Sequence, residues 1–172
     1  MTTRILGIDP SLRSSGFGMI EIERGEIISW ASWTFGPPPK AKASIEDRIT
    51  SIFTHVKQAI VNREIDIVAI ESGFVRGSHG TSLVLGYVRA ACMIAARSLE
   101  KPFFQYTPQQ AKRAATSYGG ASKDQVMDTM TMILKSNVRL PNDEADALAV
   151  AFCHWNHMDE TALIAAALPT GT

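Results

Sequence analysis

The stretch DIVAIE at residues 66–71 is a short, continuous apolar run that ends in an acid. A run without polar alternation is typical of a strand that is covered on both faces, as in the parallel part of an α/β sheet. It lies between two segments with the apolar spacing of helices, at 45–60 and 83–99. We therefore predict that residues 66–71 form a buried strand of an α/β domain.

Three further strands are predicted before this run. They are TRILGI at 3–8, GFGMIEIE at 16–23 after a turn suggested by its glycines, and GEIISWASWTF at 25–35. Three prolines at 37–39 close the three strands, because proline cannot donate to a sheet ladder. Ser44 is the predicted N-cap of the helix that follows, with two acids in its favourable first turn.

Helices and strands alternate after residue 71. The predicted elements are a helix at 83–99, a strand at 102–107, a short helix at 108–115, a helix capped by Ser122, and a last helix from about Asp143 to Trp155 with Asn142 as its N-cap. Three strands in a row followed by alternation predict a mixed five-stranded sheet, a meander and then parallel strands, with helices on both faces. The length of 172 residues suits one domain.

Composition excludes several classes of protein. Hydrophobic residues make up 45% and charged residues 20%, as in an average globular domain. No run reaches the roughly 18 apolar residues of a membrane span, and the start MTTRILGIDP lacks a signal-peptide core. We therefore expect a cytoplasmic protein with no membrane partner.

Cys92 and Cys153 are isolated in apolar stretches and are predicted to be reduced core thiols. His154 is predicted to be a core or interface histidine.

A net charge of zero conceals an uneven distribution. The segment from Arg76 to Lys123 holds seven basic residues and one acid, a charge of +6, so the remainder of the chain carries −6. A basic segment of this kind is typical of a nucleic-acid-binding surface. Surface charge that clusters by chance is the alternative.

Four carboxylates are positioned to meet. Asp9 and Glu71 each end a predicted strand, and open α/β sheets place their sites at the carboxyl ends of the strands. Asp143 and Asp146 begin the last helix at a spacing of three, which puts both on one face, whereas Glu144 points elsewhere. The apolar run after Asp146 predicts a buried helix, and a buried Asp needs a partner.

A divalent cation would resolve the repulsion among these acids. Oxygen ligands select Mg²⁺ or Mn²⁺, and no cluster of His and Cys suggests zinc. Two ions roughly 3.5–4 Å apart can activate water and stabilise the leaving oxygen in phosphodiester cleavage. Taken singly, each acid has a structural alternative: Asp9 starts a turn, Glu71 marks a strand end, and the two helical acids complement the helix dipole.

Four segments together resemble the RuvC family of Holliday junction resolvases, within the retroviral-integrase and RNase H-like superfamily. They are GIDPSLRSSGFG (7–18), AIESGF (69–74), YTPQQAKRAATSYGGASKDQV (106–126) and NDEADALAVAFCHW (142–155). The likeness extends over about residues 4–157 in order. It implies an RNase H-like nuclease domain at 1–158. The small residues and the Pro-Thr-Gly-Thr end of 159–172 separately predict a C-terminal tail that is only partly ordered.

The resemblance also implies roles for individual residues. The catalytic, metal-binding acids would be Asp9, Glu71, Asp143 and Asp146, holding two Mg²⁺ ions for which Mn²⁺ can substitute. The DNA-binding residues would be Phe74, which stacks on an unpaired base, Lys112 and Lys123 near the scissile phosphate, and Arg76 and Arg113 as further phosphate contacts. The alternatives are a core position for Phe74 and solvated surface positions for the two lysines.

The implied activity is structure-selective cleavage of four-way DNA junctions in recombination and repair. Paired, symmetric cuts would leave 5′-phosphate and 3′-hydroxyl ends. A junction with two-fold symmetry calls for a homodimer, and Ala91, Ala95 and Ala96 are predicted to form its interface because small residues let helices approach. A branch-migration motor is a further expected partner if the host is a bacterium rather than a phage.

Two other functions stay open at this point. One is a RuvC-like nuclease of broader specificity for branched DNA or flaps, including a phage-encoded relative. The other is a DNA-binding module without catalysis. A sugar-kinase-like or actin-like ATPase shares the opening motif, but 172 residues leave no room for its second lobe.

Overall fold

The computed structural model describes residues 2–11, 13–36, 43–72 and 79–167, and at 79–81 and 159–167 it describes the backbone only. The described strands are β1 (Thr2–Asp9), β2 (Ser15–Glu23), β3 (Glu26–Phe35), β4 (Ile67–Glu71) and β5 (Phe103–Tyr106). The described helices are α1 (Ile45–Asn62), α2 (His79–Arg97), α3 (Pro108–Thr116), α4 (Lys123–Ile133) and α5 (Asn142–Ala167).

The five strands form one mixed sheet in the order β3-β2-β1-β4-β5. The first three strands pair antiparallel, whereas β1 pairs with β4 and β4 pairs with β5 in parallel. This arrangement confirms the predicted meander followed by parallel strands.

Alternation along β1 sends successive side chains to two separate cores. Ile5 belongs to the core between the sheet and the helices α3, α4 and α5. Leu6 and Ile8 belong to the core on the opposite face, which α1 and α2 complete. Because side chains of a strand point to alternate faces, a strand with two buried faces appears in the sequence as an unbroken apolar run.

Glycines on β1 and β2 let α5 lie directly against the sheet. A Cβ atom at Gly7 would stand 2.0 Å from the carbonyl oxygen of Ala147, and one at Gly16 would stand 2.0 Å from the carbonyl oxygen of Asp143. Gly16 and Gly18 lie within β2, so the predicted glycine turn is wrong. These glycines provide space for helix packing.

Local capping signals were predicted better than helix lengths. Ser44 and Ser122 each form a capping box, as Thr107 does for α3, which confirms two predicted N-caps. The third predicted N-cap, Asn142, is wrong, because Asn142 is itself the first helical residue of α5 and the amide of Ala145 donates to the carbonyl of Pro141.

Two helices extend beyond their predicted bounds. The helix α2 begins at His79 rather than Leu83, and α5 continues to Ala167 rather than ending near Trp155. Residues 142–168 contain no glycine or proline and many good helix formers, so nothing local stops α5. Residues 159–167 thus continue α5, and their separation from the domain as a tail stays a prediction.

The buried thiols and the buried histidine are where the sequence predicts them. Cys92 and Cys153 are both free and buried. His154 is only 3% exposed, and its Nδ1 lies 2.7 Å from the hydroxyl of Tyr106.

Of the helices in the described part of the chain, none combines the length and apolar character that a bilayer crossing requires.

Candidate active site

The carboxyl ends of β1 and β4 bring two acids together. These strands are parallel neighbours in which Ile8 pairs with Ile70, so Asp9 and Glu71 are the next residue on each strand. The amide of Ser72 then donates to the carbonyl of Tyr106 at 2.8 Å and ties the end of β4 to β5. Asp9 and Glu71 therefore leave the sheet side by side at its carboxyl edge.

The first two turns of α5 bring two more acids to the same edge. Gly16, which pairs with Asp9 across β1 and β2, lies directly under the backbone of Asp143. One turn further along, Asp146 is half-buried and faces the same edge of the sheet. Glu144 points away, as predicted, and accepts a hydrogen bond of 2.5 Å from the hydroxyl of Ser32 on β3.

A cavity of about 190 Å³ lies between these elements. Its charged lining residues come from five separate parts of the fold: Asp9, Glu71, Lys112, Lys123 and Asp146. Asp143 is not among the lining residues, but its negative charge acts on Asp9. The predicted acids are therefore neighbours, with three of them around one cavity.

Burial and mutual repulsion perturb the acids on the strand ends. Burial, followed by the charges of Glu71 and Asp146, raises the pKa of Asp9 to about 7. Burial and the charge of Asp146 also raise the pKa of Glu71. A carboxyl group whose pKa rises in this way lacks sufficient positive charge around it, so the site favours an additional cation.

Two lysines approach the cavity in different ways. Nζ of Lys123 lies 3.0 Å from Oδ2 of Asp146, and this hydrogen bond raises the pKa of Lys123. Nζ of Lys112 instead donates to the backbone carbonyl of Ala121 at 2.7 Å. Both lysines thus lie beside the acids, but only the contact of Lys123 is an ion pair with an acid of the cavity.

Arg89 on α2 is a cation near the site that the sequence analysis did not single out. Its positive charge favours the ionised forms of Glu71 and Asp9, while partial burial lowers its own pKa. The signal that was available is its position between Val88 and Cys92, both fully buried on α2. A charged residue in such a helix needs acidic or polar partners.

The donor chemistry of the cavity fits a hard divalent ion. Its acids offer carboxylate oxygens, and its charge is incompletely compensated. Yet among the described residues no three Asp, Glu, His or Cys side chains are arranged to hold one ion together. The acids are gathered by the fold, while their side chains are not yet in a ligand geometry.

Of the remaining predicted DNA contacts, Arg113 is described by the structure and does not line this cavity. Arg113 follows Lys112 on α3 but lines a separate groove with Gln110 and Asn156, because consecutive helical residues point about 100° apart. Phe74 and Arg76 lie outside the described residues. Their predicted roles stay predictions.

A larger groove lies away from the acids. It has a volume of about 730 Å³ and runs between the β2–β3 turn and the helices α4 and α5. Trp30, Phe152 and Trp155 form much of its lining, and its charged residues are Glu26 and Lys135. Because it offers no cluster of titratable groups, we assign the chemistry to the smaller cavity.

Comparison with known proteins identifies the family of this chain. The family model described as crossover junction endodeoxyribonuclease RuvC matches residues 5–154. The chain belongs to the RuvC family. RuvC from Ralstonia nicotianae is 36% identical over 166 residues, 96% of this chain and 91% of the relative. RuvC from Maricaulis maris is 35% identical, over 97% of this chain and 99% of the relative.

Solved RuvC structures share the fold. A structure titled T. thermophilus RuvC in complex with Holliday junction substrate superposes with a TM-score of 0.83 at 24% identity, over 92% of this chain and 96% of that one. The yeast mitochondrial Holliday junction resolvase Ydc2 superposes with a TM-score of 0.63 at 11% identity, covering 92% of this chain and 81% of its own. These superpositions confirm the predicted RNase H-like fold, while the family model and the curated relatives confirm the predicted RuvC family and enzyme class.

Proposed function

We propose that this protein is a Holliday junction resolvase that makes paired, symmetric cuts and leaves 5′-phosphate and 3′-hydroxyl ends. The observation that carries the proposal is the 190 Å³ cavity in which Asp9, Glu71 and Asp146 meet two lysines. Family membership supports the substrate, because the most similar curated relatives are named as crossover junction endodeoxyribonucleases.

Asp9, Glu71, Asp143 and Asp146 are the residues that would hold Mg²⁺, two ions per site, with Mn²⁺ as a substitute. Such ions supply an activated water and stabilise the leaving 3′ oxygen. The protein's part is to bring the acids together on rigid elements, since two lie on strand ends and two on the first two turns of α5. The raised pKa values of Asp9 and Glu71 reflect a site that is completed by positive charge.

Lys112 and Lys123 would bind and orient the scissile phosphate. Both line the acid cavity, and Lys123 begins α4, where free backbone amides also attract phosphate. Arg113 in its separate groove would contact a more distant phosphate of the same DNA. The stacking role of Phe74 and the phosphate contact of Arg76 belong to the same proposal.

Cleavage of a synthetic immobile four-way junction tests the proposal. With Mg²⁺ we expect symmetric nicks in two opposing strands, and with EDTA we expect none. Asp9→Asn should retain junction binding and lose at least about a thousandfold in rate, because it removes a charge that holds the metal. The matched control is Glu144→Gln, which alters an acid on the same helix that bonds Ser32 instead of lining the cavity.

Each alternative function has its own outcome in this assay. Equal cutting of flaps, three-way branches and four-way junctions would replace the proposal with a nuclease of broad specificity. Binding without any cleavage in Mg²⁺ or Mn²⁺ would leave a DNA-binding module. Equal loss of activity in Asp9→Asn and Glu144→Gln would contradict the assignment of the cavity.

We propose further that the protein acts as a homodimer, through a different face of α2 from the one the sequence suggested. Ala91, Ala95 and Ala96 are buried against the protein's own core, so the predicted alanine interface is wrong. The exposed face of α2 instead carries large apolar side chains: Leu83, Tyr87, Met93 and Ile94. A second copy would cover them and give a four-way junction its two cuts.

Sedimentation at micromolar concentration tests the dimer. Ile94 is 55% exposed, so Ile94→Glu should leave the monomer folded and shift the protein from dimer to monomer. Met132→Glu is the matched control, because Met132 is 76% exposed on α4 and lies outside the proposed interface. A wild-type protein that sediments as a monomer would contradict the proposal.

A further inference from the structure

The ion pair between Lys123 and Asp146 joins a mobile group to a fixed one. The side chain of Lys123 is 58% exposed, whereas that of Asp146 is 13% exposed. Asp146 lies between Ala145 and Ala147 on α5, both fully buried, so its backbone is held by the core. The four-carbon stem of a lysine can move through solvent with little rearrangement. If this contact breaks, Lys123 is therefore the partner that leaves.

The ammonium occupies one side of a carboxylate oxygen that a metal ion could also use. Its nitrogen is 3.0 Å from Oδ2 of Asp146, and Mg²⁺ would bind a carboxylate oxygen at about 2.1 Å. A metal ion and the ammonium cannot both bind the same side of that oxygen, because two positive charges held a few ångströms apart repel each other.

We propose that Lys123 is a positioning residue that acts as the internal counter-cation of Asp146 in the metal-free protein. When a divalent ion takes Asp146, the ammonium is released and becomes available to a phosphate of the DNA. This inference rests on the proposed function, in which Asp146 is a metal ligand and Lys123 a phosphate contact.

A released ammonium would find a phosphate close by. Lys123 is the first residue of α4, and the capping box of Ser122 and Gln125 fixes the backbone there. The helix N-terminus attracts anions to the same place. Metal binding and phosphate binding are thereby coupled, and coupling is reciprocal, so a bound phosphate that draws Lys123 away also frees Asp146 for the metal.

Lys112 provides a matched comparison within the same cavity. It also lines the cavity, but its ammonium donates to the carbonyl of Ala121 at 2.7 Å rather than to an acid. Removing Lys112 therefore changes the charge near the metal without vacating an acid oxygen. Removing Lys123 changes the charge and vacates Oδ2 of Asp146, so the difference between the two variants measures direct competition.

Titration of the DNA-free protein with Mn²⁺, followed by calorimetry and by electron paramagnetic resonance of free Mn²⁺, tests the inference. We expect Lys123→Met to bind Mn²⁺ about tenfold more tightly than wild type and Lys112→Met about twofold more tightly. Lys123→Arg keeps the cation and should remain near wild type. Equal tightening in Lys123→Met and Lys112→Met would overturn the counter-cation role while leaving the proposed function in place.

Absence of Mn²⁺ binding in every variant would overturn the proposed metal site and this inference with it.

A second measurement uses the wild-type protein itself. In the wild-type protein, the side-chain ¹⁵N resonance of Lys123, assigned with Lys123→Arg, should move toward that of a solvated lysine as Mg²⁺ is added, while that of Lys112 stays. A Lys123 resonance that does not respond to saturating Mg²⁺ would contradict the release.

Discussion

The two faces of the sheet are packed in different ways, and the candidate site lies on only one of them. On one face α5 approaches the strands through glycines, with its backbone against Gly7 and Gly16. On the other face α1 and α2 are separated from the strands by branched and aromatic side chains such as Val56 and Phe17. Contact through backbone leaves the position of α5 little freedom, and Asp143 and Asp146 near its N-terminus share that constraint.

Substituting a glycine on the α5 face should have the largest effect on stability. In Gly7→Ala the new methyl group meets the backbone oxygen of Ala147 at 2.0 Å and the amide of Ala151 at 2.7 Å. Neither atom can move without shifting α5, so we expect the free energy of unfolding to fall by about 4 kcal/mol. Urea denaturation measures it, and a loss below about 1 kcal/mol would show that α5 is not held by close packing.

The histidines of the two faces should differ in their effect on pH dependence. Burial lowers the pKa of His154 to about 4. Burial also lowers the pKa of His55, but this histidine is only half-buried beside Trp33. Below pH 6.5, the ordinary pKa of histidine, His154 takes up a proton in the unfolded state but stays neutral in the folded state. The contribution of His154 to stability is therefore fully present above pH 6.5 and falls by about 3 kcal/mol as the pH drops to 4.

Urea denaturation at several pH values checks this assignment. His154→Gln keeps a polar partner for the hydroxyl of Tyr106 but does not titrate, so most of the pH dependence between 6.5 and 4 should disappear. His55→Gln is the comparison on the other face and should remove less. A flatter profile in His55→Gln than in His154→Gln would reverse the assignment.

A truncation on the α1 face should cost less than the glycine substitution on the α5 face. Val56 is fully buried against the sheet, and Val56→Ala leaves a cavity instead of a clash. We expect a loss of about 2 kcal/mol in the free energy of unfolding, because the side chains around the site can partly relax. Cleavage of the junction should be unaffected at a temperature where the variant is folded.

The smallest effect, with the opposite sign, is expected for a glycine on the exposed face of α2. A Cβ atom at Gly86 meets nothing within 4 Å. In the monomer, at concentrations below those at which the proposed dimer forms, Gly86→Ala should therefore raise the free energy of unfolding by about 0.5–1 kcal/mol, because alanine loses less backbone entropy in a helix. A loss of stability would instead show that Gly86 is covered in solution, which sedimentation of the same variant would trace to the dimer.

Much of the fold could be predicted because the signals are local. The apolar run at 66–71 and the caps at Ser44 and Ser122 act through neighbouring residues, and the structure has these elements where the sequence predicts them. The predicted start of α2 and the predicted end of α5 were wrong. The local sequence signals at these two positions are weak, so packing or simple continuation of the helix sets where each one begins or ends.

The site was predicted less completely than the fold. Strand ends and helical spacing suffice to bring Asp9, Glu71 and Asp146 together. Arg89 was missed, and Arg113 was grouped with Lys112 although the two line different grooves. The direction in which a side chain leaves a helix matters more here than its neighbours in sequence.

The order of the elements, the caps at Ser44 and Ser122, the family and the set of acids could be read from the chain alone, because they follow from periodicity, local hydrogen bonding and motif. The packed fold was needed to show that glycines bring α5 against the sheet, that alanines of α2 face inward, and that Lys123 rather than Lys112 pairs with Asp146. Each of these depends on distances between segments far apart in the chain. Such distances are set by how whole elements pack, and no local pattern of residues encodes them.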